Sequence, residues 1–186
     1  MTPKETPRKN TNRNDSPGPV ITLFVYGTLK RGFPNHDRFC RNALDIQPAT
    51  VWGRLYDLGS FPALEVPEET ILAHGTDDAC ADVATQARFE AEVAPHPDLR
   101  AKGHTRRGWG LIRGELMTFD DPAERLPRLD RLEGFRPSQA SLYTRVLVPV
   151  IFAVSIQPVW LYCMKSVPRG RHIGETWPPL TPPMPD

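Results

Sequence analysis

The sequence predicts an α+β domain dominated by its sheet. Three observations carry that expectation. Short runs rich in Val, Ile, Phe, Tyr and Trp recur along the chain and are closed by Gly or Pro. One amphipathic helix, at 122–133, has both of its ends marked by the residues that start and stop helices. The length of 186 residues fills one domain and is too short for two once polar ends are set aside.

Taken in order, residues 1–19 hold four prolines and six charges of mixed sign, which leaves too little apolar surface to offset the entropy of ordering. They are expected to form a disordered tail. Residues 20–26 are β-branched and aromatic and read as a strand, which Gly27 ends in a loop. Asn35 is placed to cap a short helix over 35–43, with Phe39 and Ala43 on its inner side and Pro48 barring continuation. Residues 50–58 read as a strand interrupted at Gly53, followed by a turn at 59–62 and an extended stretch at 63–66.

From 67 to 108 the periodicity is lost, apart from a helix over 78–93, and the stretch reads as a surface insertion ending in a polar run. Strand character returns at 109–119. The helix over 122–133 has Asp121 as an acidic cap, Pro122 at its first position and Glu124 three residues after the cap. Leu126, Leu129 and Leu132 form its buried stripe, Gly134 supplies a left-handed stop, and Pro127 is expected to kink it. Residues 142–154 and 159–164 form two β-prone runs separated by Gln157-Pro158, a terminal antiparallel pair. The proline-rich end, 178–186, is a strap or a frayed tail. The domain is therefore expected over 20–177.

Composition narrows the function. The 23 Lys and Arg nearly balance the 22 Asp and Glu, and no basic stripe with interleaved aromatics occurs, so no nucleic-acid partner is expected. Cys40, Cys80 and Cys163 are odd in number and widely spaced, which indicates neither a disulfide framework nor a zinc site. The longest apolar stretch, 146–156, is interrupted by Pro149 and too short to span a bilayer, and the N-terminus lacks the apolar core of a signal peptide. A cytoplasmic protein acting on a small neutral or zwitterionic molecule, with no membrane contact, is expected.

Two segments carry candidate chemistry. Tyr26-Gly27-Thr28-Leu29 follows a buried strand, and successive backbone N–H groups there can face an anionic or carbonyl oxygen. Glu133 ends its helix beside Leu132 and Phe135, where the helix dipole and desolvation both push a carboxyl pKa upward, toward that of a group able to take and return a proton. Taken singly, each also reads as ordinary structure: a solvated glutamate before a cap glycine, and a strand ending in a turn. Tyr143 and Tyr162 are core candidates whose hydroxyls could also orient a substrate. The five histidines show no metal-ligand spacing, no G-x-S-x-G elbow occurs, and Cys40 and Cys163 read as core thiols.

Several short motifs follow one another along the chain: Phe-Val-Tyr-Gly-Thr-Leu-Lys-Arg-Gly at 24–32, Gly-Arg-Leu-Tyr-Asp-Leu-Gly at 53–59, Phe-Pro-Ala-Leu at 61–64, Leu-Asp-Arg-Leu-Glu-Gly-Phe at 129–135, Tyr-Thr-Arg at 143–145 and Val-Trp-Leu-Tyr at 159–162. Their order and spacing resemble the γ-glutamylcyclotransferase-like family, which includes AIG2-like proteins and γ-glutamylamine cyclotransferase. The resemblance implies a compact, barrel-like mixed sheet flanked by helices. It implies that the 26–29 loop binds a γ-glutamyl group, that Glu133 is the acid/base, and that the reaction yields 5-oxoproline without metal or organic cofactor. The 67–108 stretch is longer than the link expected there, so a lid, a specificity surface or an oligomer contact are open alternatives. A non-catalytic module using the same cavity, and an enzyme removing a protecting γ-glutamyl group from a larger intermediate, are open alternatives for function.

Overall fold

The computed structural model describes residues 18–93, 109–167 and 170–179. The expected N-terminal tail up to residue 17, the polar run at 94–108 and the end of the chain from 180 lie outside the described residues. Five strands close into a barrel: β1 (Ile21–Val25), β2 (Asp45–Asp57), β5 (Gly110–Phe119), β6 (Thr144–Phe152) and β7 (Ser155–Cys163). They follow one another as β2-β5-β1-β7-β6, and β6 returns to β2 through Thr50↔Ile151 and Val51↔Val150. Every pair is antiparallel except β1 with β7, which meet in parallel at Leu23↔Trp160. Three short strands extend the sheet: β3 (Pro62–Glu65) and β8 (Arg171–Ile173) on the far half of β2, and β4 (Ala73–His74) on β6.

The two-residue period of β1 divides the core. Phe24 and Tyr26 point into the barrel with Val51, Leu55, Leu116, Val148 and Leu161. Ile21, Leu23 and Val25 point outward, where α3 (Pro122–Glu133) covers them with Leu126 and Leu129. Val83 and Phe89 of α2 (Ala79–Val93) pack against the same outer layer. A fully buried side chain of this kind contributes about 1.5–3 kcal/mol, so both faces of β1 hold it in place up to the loop that follows.

The bounds of α3 match the expected helix, and Gly134 ends it at φ 66 with Phe135 N–H donating to Asp130 O at 2.8 Å. Pro127 stands inside α3 without ending it. Asp121, expected as a side-chain cap, does not cap: its carboxylate accepts from Arg125 Nε at 3.1 Å and Nη2 at 2.8 Å. Arg125 also donates to Phe39 O and, at 3.0 Å, to Arg41 O, which fastens the chain after α1 (Pro34–Phe39) to α3.

Helix α1 begins at Pro34 after Phe33, because a proline pre-set at the first position starts the helix one residue ahead of Asn35. It stops at Phe39 and not at Ala43, having no buried residue to hold further turns. Pro48 lies within β2, opposite Glu115, so the strand starts five residues before the expected position. The reversal between β6 and β7 falls at Ala153-Val154, with Phe152 facing Ser155 and Ala153 at φ 49. Gln157 and Pro158, expected as the separator, are strand residues, and Pro158 faces Pro149 across the ladder. An alanine in the left-handed region carries no turn signature, which is why the proline drew the boundary instead.

Helix α2 departs from a purely surface insertion. Asp78 caps it, accepting from the N–H groups of Cys80 at 2.8 Å and Ala81 at 3.2 Å. Beside Val83 and Phe89, its inner face carries two buried polar residues. Asp82 pairs with Arg145 of β6, both almost without exposed surface, and Gln86 Oε1 accepts the Thr22 N–H at 3.1 Å. That N–H, one residue before the parallel contact with β7 at Leu23, is met by a side-chain amide of α2 and not by a strand partner.

Candidate active site

Beyond Val25 the chain enters a turn in which Lys30 N–H donates to Gly27 O at 3.1 Å. That bond leaves the Thr28 and Leu29 N–H groups outside the turn's own closure, and both residues line a cavity of about 220 Å³. Gly27 is required by packing: a Cβ there would lie 2.7 Å from Pro62 Cγ, so the loop lies flat against the start of β3. Asn35 Nδ2 donates to Thr28 Oγ1 at 3.0 Å, and His36 Nδ1 lies 3.1 Å from Leu29 O, which ties the loop to α1. The two cations of the loop are engaged elsewhere. Lys30 donates to Trp177 O, and Arg31 holds Glu115 through its backbone N at 2.8 Å and Nε at 2.9 Å.

The opposite wall is the end of α3, where Leu132 and Glu133 face the same cavity. Burial pushes the Glu133 carboxyl up to about 7. Desolvation, expected from the flanking Leu132 and Phe135, is the cause of that rise. Near neutrality such a group is divided between its two protonation states, which suits a proton carrier.

Tyr26, Tyr143 and Tyr162 complete the walls, and their hydroxyls are committed to the protein. Tyr26 donates to Tyr162 O at 2.9 Å, Tyr143 to Pro62 O at 2.7 Å and Tyr162 to Asp130 Oδ1 at 2.7 Å. Burial raises all three phenols above their ordinary values, so they are neutral walls and struts. The strut from Tyr162 continues: Asp130, one turn before Glu133, also accepts from Arg145 Nη1 at 2.5 Å, and Arg145 reaches Asp82 of α2. The last turn of α3 is thereby braced from β6, β7 and α2 together.

The structure places Tyr26, Gly27, Thr28, Leu29, Glu133, Tyr143 and Tyr162 around one cavity. Sequence reasoning did not single out Asn35, Ser60, Phe61, Pro62, Leu132 or Leu142, which line it too. Asn35 had been assigned to capping, and a turn residue such as Ser60 has no spacing that marks it. Among the described residues of the 67–108 stretch, none lines the cavity. Burial raises the thiols of Cys40 and Cys163 to about 12, while Cys80 is exposed. Among the described residues, no group of three or more His, Cys, Asp or Glu is placed to hold a metal ion. Among them, too, no helix is long and apolar enough to cross a membrane.

A closed mixed barrel with a small cavity between a strand-end loop and a single proton-accepting carboxyl defines a small-molecule site suited to acid–base chemistry. The family described as gamma-glutamyl cyclotransferase, AIG2-like, matches residues 23–77 and 79–178, and the chain belongs to it. That match continues through α2. Similar solved structures include YkqA from Bacillus subtilis, at 20% identity and TM-score 0.48, covering 83% of this chain; the chain spans 38% of YkqA. An uncharacterized protein from Pyrococcus horikoshii, PH0828, is similar at 19% identity and TM-score 0.44 over 82% of this chain and 85% of that one. An AIG2-like protein from Mus musculus is similar at 18% identity and TM-score 0.43 over 80% of each chain. No curated protein matches the sequence.

Proposed function

We propose that this protein cyclises a γ-glutamyl amine or small γ-glutamyl peptide, releasing 5-oxoproline and a free amine or amino acid, in the cytoplasm and without a cofactor. The observation that carries the reading is the Glu133 carboxyl, held near neutrality in the same small cavity as the loop after β1. Membership of the family supports the reaction class, and the domain responsible is 20–177.

In the proposed reaction the substrate α-amino group reacts as the neutral amine, and the ionised Glu133 takes a proton from it as its nitrogen attacks the γ-carbonyl carbon. A new C–N bond closes the five-membered ring, and the carbonyl oxygen becomes an oxyanion, which the N–H groups of Thr28 and Leu29 stabilise. Protonated Glu133 then gives its proton to the leaving nitrogen as the original amide bond breaks. The ring nitrogen keeps one hydrogen, the leaving amine gains one, and Glu133 returns to its starting state. Nucleophile and electrophile belong to one molecule, so the cavity's main task is to hold the chain in its ring-closing conformation. Removing a general acid/base of this kind lowers the rate by about 10²–10⁴-fold, and losing one oxyanion donor by about 10²–10³-fold.

The test is incubation of the purified protein with a panel of γ-glutamyl amides and dipeptides, with 5-oxoproline as the readout. Turnover that falls by at least about 100-fold in Glu133→Gln is the expected result. A Glu133→Gln protein as active as the wild type refutes the assigned role. Ligand-induced thermal stabilisation with no 5-oxoproline from any substrate refutes the catalytic reading.

A further inference from the structure

The loop after β1 is pinned from outside the cavity by the last described segment of the chain. After β8, whose Ile173 faces Leu55 of β2, this segment meets β5, where Arg113 N–H donates to Glu175 O at 2.7 Å, and then reaches Trp177. Trp177 is only 8% exposed, and each of its three polar or ring contacts goes to a different place. Its carbonyl accepts from the Lys30 ammonium, its indole Nε1 donates to Asp57 Oδ1 at 3.2 Å, and its ring lies 5.4 Å from that of Phe33, centroid to centroid. Lys30 and Phe33 belong to the stretch between β1 and α1. Asp57 ends β2, and the turn that follows leads to Ser60, Phe61 and Pro62 in the cavity wall. Asp57 is itself fixed, accepting from Gly59 N–H at 3.0 Å and from Arg171 Nη2 at 3.1 Å. One indole thereby joins two segments that both continue into walls of the same cavity.

Lys30 is where this attachment meets the chemistry. Its backbone N–H closes the turn on Gly27 O, and its half-buried side chain is tethered to Trp177 O, so one residue fixes the turn from inside and from outside. Burial lowers the Lys30 pKa, the mark of an ammonium partly withdrawn from water, and such a group needs an acceptor where it lies. Neither Lys30 nor Trp177 lines the cavity, so both act on it only through the backbone that leads to Thr28 and Leu29. We propose that Lys30 and Trp177 are positioning residues: with Trp177 seated on Asp57 and Phe33, the tether to Lys30 aims the Thr28 and Leu29 N–H groups at the reacting carbonyl. A misplacement of about 1 Å in such groups costs about 10²-fold in rate. The kinetic half of this inference rests on the cyclotransferase reading; the mechanical half does not.

The experiment compares four variants with the wild type. Lys30→Met keeps the aliphatic stem and loses the donor, Lys30→Arg supplies a donor again, and Trp177→Ala removes the ring and the indole N–H. Arg113→Ala, which removes only the exposed ion pair with Glu175, is the control. The first readout needs no substrate: exchange of the residue-30 amide hydrogen, whose bond to Gly27 O reports closure of the turn. Losing a hydrogen bond from a charged donor is worth about 10- to 100-fold, so exchange should rise by about that factor in Lys30→Met and Trp177→Ala and stay unchanged in Arg113→Ala. The second readout is steady-state turnover of a γ-glutamyl amide, at a temperature where thermal unfolding shows every variant folded. There kcat should fall by about 10- to 100-fold in the same two variants with a smaller change in KM, and Lys30→Arg should recover most of the loss. The limb of the pH profile near 7, set by Glu133 on the opposite wall, should not move. Unchanged exchange in Lys30→Met, or exchange in Lys30→Arg as fast as in Lys30→Met, overturns the tether. Faster exchange with unchanged kcat, or a displaced limb, overturns the positioning role. A wild type that cyclises no γ-glutamyl compound overturns the reaction class and the kinetic role with it, while the exchange rates still decide the tether.

Discussion

Replacing Glu133 by Gln tests the physical premise of the site without any substrate. The carboxyl ionises near 7 in the folded chain, against an ordinary value of 4.5, because burial disfavours its charged form. Between those two values the folded state binds more protons at this position than the unfolded state, so stability falls as pH rises through the interval. Below about 4.5 the group is protonated in both states and costs nothing; above 7 it is ionised in both, and the folded chain carries the full penalty of about 3 kcal/mol. Glutamine keeps the shape and stays neutral. The variant is therefore expected to resemble the wild type in stability at pH 4.5 and to exceed it by about 1–3 kcal/mol at pH 8, the lower figure allowing for water entering the open cavity. For a domain of this size that is a gain of about 3–10 °C in melting temperature, read from thermal unfolding of both proteins across pH 4.5–8. All other titrating groups are shared, so their contribution cancels in the difference. A difference that does not change with pH, or one that favours the wild type at pH 8, refutes the claim that this carboxyl is desolvated.

Three further substitutions probe how the site is held. Gly27→Ala puts a methyl group against the Pro62 ring, and overpacking of this sort costs about 1–3 kcal/mol; thermal unfolding should show the loss and 5-oxoproline formation should slow. Gly134→Ala forces an L side chain into the left-handed region at φ 66, which costs about 1–2 kcal/mol; fraying of the last turn of α3 should lower kcat more than it changes KM. Asp82→Ala leaves the buried Arg145 guanidinium with Asp130 as its remaining carboxylate partner, and urea unfolding should show a loss of about 3–5 kcal/mol.

The parts legible in the sequence were those where one local rule and the tertiary structure agree. Helix α3 has proline at its first position, three leucines on one side and glycine at its end, and each of those signals acts within a few residues. The strand before the 26–29 loop was visible for the same reason, since β-branched and aromatic residues stop at a glycine. Errors arose where a residue had two possible uses. Asn35 has the chemistry of a cap but spends its amide on Thr28, and Asp121 has the chemistry of a cap but spends its carboxylate on Arg125. Local pattern cannot choose between a backbone N–H nearby and a partner elsewhere in space, because both satisfy the same oxygen or amide.

Helix α2 shows how an element can be legible from the sequence, here over 78–93, while its role in the fold is not. A helix is expected to turn apolar residues toward its neighbours, and α2 turns in Asp82 and Gln86 along with Val83 and Phe89. The two polar residues are there for reasons that lie far along the chain: Gln86 takes the Thr22 N–H near the start of β1, and Asp82 neutralises Arg145. Arg145 in turn pairs with Asp130, which also accepts the Tyr162 hydroxyl. A buried guanidinium needs these carboxylates, since leaving it unpaired is far costlier than any weakness of the pairs themselves. The segment that reads as an insertion is thus a wall of the same network that fixes Asp130, and Asp130 is one helical turn from Glu133. The described part of that segment bears on the site through the placement of that turn, since none of its described residues lines the cavity.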